Sequence, residues 1–172
     1  AYVMMAWRVA YCKVFYPLAY YCAYFSIRAD AFDYEKMAMG RERLEYYLDI
    51  YKAKKADGTI EKTELDEYKD MRIVQEMYAR GYEFTPIDIY KAKARSFQII
   101  DGKIMPSFKV VSKIGESAGE SIEIAARGGK FLSKDDLRQR AKIGQTVIDK
   151  LSELKLLDGM AESNQLSLFD VL

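Results

Sequence analysis

Histidine is absent from all 172 residues. That removes the commonest general base and any nucleophile built on a Ser–His or Cys–His pair. Cysteine is nearly absent too: Cys12 and Cys22 stand in an apolar stretch, and two thiols without histidine do not make a zinc site. They are expected to be buried free thiols of a cytoplasmic protein. Charge of one sign is also lacking, with 27 basic against 26 acidic side chains, so any surface for a polyanion must be local. Long apolar runs are missing. The uncharged stretch 14–27 is too short to cross a bilayer and is interrupted by Pro17, which speaks against a membrane partner. Arg8 and Lys13 inside the apolar beginning, with no cleavage pattern after it, exclude a signal peptide. What remains is half hydrophobic and about a third charged, the composition of a globular chain with room for one or two small domains.

The chain starts Ala1-Tyr2-Val3, without Met or a capping residue, directly in a helical pattern. It is therefore expected to be the C-terminal piece of a longer protein. Residues 1–29 read as two helices broken near Pro17. Their aromatics (Trp7, Tyr11, Phe15, Tyr16, Tyr20, Tyr21, Tyr24, Phe25) predict burial on most faces, and Arg8 and Lys13 are candidates to reach an anion from there. Charged helices follow, over about Tyr34–Lys54 and Lys62–Arg80, the second ended by Gly81. Between them, Asp57-Gly58-Thr59-Ile60-Glu61-Lys62-Thr63-Glu64 imitates half of a calcium loop. Ala53 and Lys55 occupy its first ligand positions, where a hard cation needs oxygen. Asp101-Gly102 between two apolar runs predicts a β-hairpin within residues 81–106, ended by Pro106.

Residues 107–158 contain a repeat. Lys113-Ile114-Gly115-Glu116-Ser117 returns as Lys142-Ile143-Gly144-Gln145-Thr146, and each copy leads into a helix with an apolar residue, Ile122 or Leu151, at the same offset. Two units of helix, glycine turn and helix predict a tandem helix-hairpin-helix module. In such a turn glycine lets the backbone approach a phosphate, while the following helix offers unsatisfied N–H groups at its positive end. Nucleic-acid backbone is thereby held without reading bases. Lys130, Lys134, Arg138, Arg140 and Lys142, with Arg127, form a basic run against only Asp135 and Asp136, and Ser133 reads as the N-cap of the helix between the turns. The fold class expected is mainly α with a small β-hairpin. Helices fill residues 1–80, the β-element 81–106, the module 107–158 and a tail 159–172. In that tail Gly159 ends the last helix, Ala161 to Asn164 form a polar spacer, and Gln165-Leu166-Ser167-Leu168-Phe169 follows. That peptide carries two large apolar anchors and one amide, the chemistry of an extended segment that enters a greasy pocket.

Lys130-Phe131-Leu132-Ser133-Lys134-Asp135-Asp136-Leu137-Arg138-Gln139-Arg140, then Thr146 to Leu151, then Glu162 to Phe169, closely resembles the C-terminal end of PolC-type DNA polymerase III, the C-family replicative polymerase of low-GC Gram-positive bacteria. The beginning is similar to that family through Ala1 to Ala6, Arg8, Ala10-Tyr11, Lys13-Val14 and Pro17-Leu18. The middle is similar through Gly81-Tyr82, Phe84, Ile87-Asp88, Tyr90 and Ala94. The resemblance implies a DNA-directed DNA polymerase, with an exonuclease elsewhere in the parent, whose palm aspartates hold magnesium. This piece would carry the end of the fingers, a grip on primer–template duplex and, at Gln165 to Phe169, a peptide for the sliding clamp. It would hold no cofactor and be inactive alone; other replisome subunits are further expected partners. Arg8 and Lys13 would meet nucleotide or template phosphates. Departures from the family are Lys113 at a usual glycine, Ala92 at a frequent serine, and Asp170-Val171-Leu172 beyond the clamp peptide; residues 52–70 match poorly. A stand-alone, non-enzymatic DNA- and clamp-binding adaptor is the alternative, and an all-helical interaction domain without nucleic acid a third.

Overall fold

The computed structural model describes residues 1–163. Helices α1 (Tyr2–Phe15) and α2 (Pro17–Ile27) are separated by Tyr16, whose backbone is non-helical because Pro17 follows it; Pro17 then opens α2 at N1, where its missing N–H costs nothing. The single helix expected from Tyr34 is two. After α3 (Tyr34–Met37), capped by the Asp33 carboxylate on Lys36 N–H, the chain turns at Gly40 with φ of 110° and restarts as α4 (Arg41–Ala56). A φ in that range is open to glycine and strained for other residues, so Gly40 sets the break. Helix α5 (Lys62–Ala79) begins with a reciprocal capping box between Glu61 and Glu64. At its end Gly81 N–H bonds the Tyr78 carbonyl and Tyr82 N–H that of Met77, as the sequence led us to expect. Strands β1 (Gln98–Ile100) and β2 (Lys103–Met105) pair antiparallel, Ile99 opposite Ile104, through a turn in which Asp101 and Gly102 both have positive φ. That is the two-residue turn whose twist suits a hairpin. A 3-10 turn (Phe108–Val110) leads to α6 (Glu116–Arg127), α7 (Lys134–Ala141) and α8 (Gln145–Glu153).

One contiguous set of buried apolar side chains runs from Tyr21 to Leu157, crossing residues 80 and 106. Phe25, Phe32, Phe84 and Phe97 meet at its centre; the Phe25–Phe84 centroids are 5.5 Å apart and the Phe32–Phe97 centroids 5.1 Å. These rings join α2 to the segments flanking the β-hairpin. The buried Lys150 of α8 lies 2.6 Å from Glu35 of α3, which also accepts from the Ser112 hydroxyl, so the second repeat is bolted to the first helices by a shielded charge pair.

Two expectations fail here. Aromatic density predicted burial of α1, yet none of its side chains is buried. Trp7, Tyr11 and Phe15 stack on one another along one face, with centroids 5.5 and 4.5 Å apart. Apolar composition specifies that a face seeks cover, not what provides it. Cys12 is likewise exposed rather than buried, and Cys22 is half-buried; both are free. Among the described residues no helix is long and apolar enough to cross a membrane.

Asp70 is a buried carboxylate that makes no ion pair among the described residues. Its Oδ2 accepts Ala31 N–H at 3.2 Å, and burial, aided by Asp30 and Asp66, pushes its pKa up to about 6. The native state therefore binds a proton that the unfolded chain, with a pKa of about 4, gives up. Stability from this group is greatest below pH 4 and falls as pH rises through 4 to 6. Asp70→Asn keeps the acceptor for Ala31 and removes that fall, so the variant is expected to gain about 3 kcal/mol at pH 7.5 and almost nothing at pH 4. Urea unfolding of both proteins at the two pH values reads the difference. An equal offset at both would refute the assignment.

Candidate nucleic-acid interface

The two repeated turns have the same backbone. Lys113 and Lys142 are left-handed, with φ of 66° and 51°. Ile114 and Ile143 next to them are buried, and Gly115 (φ −67°, ψ 162°) and Gly144 (φ −75°, ψ 161°) are the N-caps of α6 and α8. The isoleucine anchors each turn to the core and so presents the lysine before it and the glycine after it to solvent. A lysine with positive φ is strained by about 1 kcal/mol, which accounts for glycine at this place in the resembled family and shows that Lys113 keeps the turn. The lead-in differs. The second turn follows the eight-residue α7, whereas the first follows only the 3-10 turn at Phe108.

Gly115 and Gly144 are required by neither backbone nor packing. Their φ values are open to any residue, and a Cβ at either would meet nothing within 4 Å. What their lack of a side chain clears is the space outside the molecule. Gly119 is the opposite case, missed in the sequence: a Cβ there would come within 2.9 Å of Phe108 Cβ, so glycine lets α6 lie on the 3-10 turn.

Three helices of this region begin near the surface, and only two begin open. Neither Gly115 nor Gly144 supplies a side-chain cap, and the N–H groups of Glu116, Ser117 and Ala118 in α6, and of Gln145 and Thr146 in α8, take no partner among the described residues. Helix α7 is closed. Lys134 N–H bonds the Ala161 carbonyl at 2.8 Å, Asp135 N–H the Glu162 carbonyl at 3.2 Å, and Asp136 N–H the Ser133 hydroxyl at 3.1 Å. Orphan N–H groups with the positive end of a helix dipole form an anion site, so the open pair at α6 and α8 suits phosphate and the start of α7 does not.

The basic run separates in the same way. Lys113, Lys130 and Lys142 are exposed and make no ion pair among the described residues. Lys134 is paired with Glu162 at 2.5 Å and Arg138 with Asp135 at 3.5 Å. Arg140 holds the fold: its guanidinium donates to the carbonyls of Ala125, Gly129 and Lys130, lies 3.4 Å from Asp136, and sits 4.5 Å over the Phe131 ring. Lys13 is tied to Glu76 at 2.8 Å, while Arg8 is exposed beside a shallow groove between α1 and α2. Sequence reading passed over Arg95. It lies 2.5 Å from Glu116, the first residue of α6, and 2.9 Å from Glu120; its distance in sequence from the turn hid it. The Glu116 carboxylate thus faces a cation, and its contribution to an anion site is its N–H.

Among the described residues no three His, Cys, Asp or Glu side chains are grouped to hold a metal ion. Gln165, Leu166, Ser167, Leu168 and Phe169 lie outside the described residues.

The profile of the helix-hairpin-helix motif family matches residues 81–166, half of the chain, starting at the β-hairpin segment rather than at the first turn. The whole chain is 42% identical over 172 residues to a PolC-type DNA polymerase III of Streptococcus pneumoniae serotype 2. It is 44% identical over 170 residues, 99% of its length, to that of Streptococcus suis, and 41% over 170 residues to that of Streptococcus thermophilus. In each case it spans about 12% of the relative's length. With the paired turns already in hand, these likenesses place the chain in the helix-hairpin-helix family, as the homologue of one segment of PolC-type DNA polymerase III.

Proposed function

We propose that this chain is the part of a PolC-type replicative polymerase that grips duplex DNA by its backbone and carries the peptide that tethers the enzyme to the sliding clamp. The observation that supports the grip most is the duplicated turn, in which an exposed lysine and a bare glycine precede an open helix start. Each unit would take a backbone phosphate on its free N–H groups, with Lys113 or Lys142 alongside and Lys130 nearby in the sequence adding charge. Backbone contacts alone carry no base preference, so the grip suits an enzyme that must translocate over every sequence. Nucleotide transfer would be the work of other parts of the polypeptide. For the tether, support comes from the order of residues at Gln165 to Phe169 and from the family relation.

A salt titration tests the grip. The full chain should bind a short duplex with little sequence preference, its affinity falling steeply as salt rises. Lys113→Glu with Lys142→Glu should flatten the slope of log affinity against log salt by about 2, one phosphate per turn. An unchanged slope, or strong sequence preference, would refute the grip.

A further inference from the structure

Ala161 and Glu162, in the polar spacer after α8, are bonded to the folded body. Gly159, with φ of 81°, turns the chain back after α8, and Ala161 then runs parallel to Ser133 as an isolated bridge. The carbonyls of Ala161 and Glu162 accept the first two N–H groups of α7, and the Glu162 carboxylate closes on Lys134 at 2.5 Å. The Lys134 side chain is 17% exposed in this seam. Helix α7 leads directly into the second turn, so the last described residues, Ala161 to Ser163, lie at the start of the same helix whose C-cap is Lys142.

We infer that this seam sets the point of departure of the clamp-binding peptide, and that Lys134 and Glu162 are positioning residues for a clamp held at a short, fixed distance from the DNA-gripping turns. The inference rests on the tether proposed above. Only Ser163 and Asn164 stand between Glu162 and Gln165, three steps of backbone that span about 10 Å at most. If the seam opened back to Gly159 the leash would be six steps, about 20 Å. Effective concentration falls roughly as the three-halves power of leash length, so doubling it lowers the gain from binding clamp and duplex together by about threefold. This gives Lys134 a different role from the phosphate contact that the basic run suggested.

The test uses the full chain and three affinities: for the clamp alone, for duplex alone, and for a clamp encircling that duplex. The coupling factor is the third divided by the product of the first two, so a change in either single contact cancels. Glu162→Lys, which sets like charges together in the seam, should lower the factor about threefold. Glu162→Lys combined with Lys134→Glu should restore it. Six flexible Gly/Ser residues inserted between Ser163 and Asn164, leaving the seam intact, should lower it as well. A factor indifferent to Glu162→Lys, or not restored by the charge swap, overturns the inference while leaving the tether standing. A wild-type chain that does not bind the clamp alone overturns the tether, and the inference with it.

Discussion

Replacing Leu168 and Phe169 together by alanine is expected to lower affinity for the bacterial sliding clamp at least a hundredfold and to leave duplex affinity unchanged. A short extended peptide has few ways to gain binding energy, and large apolar side chains entering a pocket dominate it. Each such side chain contributes about 1.5–3 kcal/mol on burial, and about 3 kcal/mol in total already exceeds a hundredfold. The hairpin turns lie on the folded body, anchored by Ile114 and Ile143. Fluorescence anisotropy with labelled clamp and labelled duplex, run on the same preparations, reads both. Joint loss of the two activities would assign Leu168 and Phe169 to folding and remove the tether.

Arg140→Ala is expected to destabilise the chain by about 3 kcal/mol, through lost charge-assisted hydrogen bonds and a lost cation–π contact. Three carbonyls from the end of α6 and the loop after it converge on one guanidinium, which also covers the Phe131 ring; that ring in turn stacks on Tyr90 with centroids 5.5 Å apart. Gly128 makes room for it, since a Cβ there would come within 2.9 Å of Nη2. Lysine cannot reproduce a planar fork of donors, so Arg140→Lys should recover less than half the loss. Denaturant midpoints measure this directly. Below the melting temperature the folded Arg140→Ala protein should bind duplex almost as well as the parent. Preserved stability with lost DNA binding would instead make Arg140 a phosphate contact, the role its place in the basic run first suggested.

The contrast between Arg140 and Lys142 shows where sequence reading stops. Turn chemistry was legible because it is local: Asp101-Gly102 makes its hairpin, Gly81 ends α5, and the Lys-Ile-Gly repeat takes one backbone twice. A run of cations says nothing of which are already paired, because the partners come from elsewhere. Glu162 is twenty-eight residues beyond Lys134, and the groups holding Arg140 are mostly backbone carbonyls. Arg95 was overlooked for the same reason, its contact with the first turn arising only when α6 lies across the chain before it. The break at Gly40 was hidden among good helix formers on both sides, whose period continues while the chain does not. Aromatic density in α1 was read as burial, although composition cannot name the surface that covers it.

The central claim, that phosphates sit on the open starts of α6 and α8, is tested most directly by following backbone amide resonances of the full chain as a short duplex is added. The amides of Ser117, Ala118, Gln145 and Thr146 should shift together and saturate at one duplex concentration, while those of Lys134, Asp135 and Asp136, already bonded at the start of α7, stay in place. Shifts centred on α7, or on neither pair of turns, would contradict it.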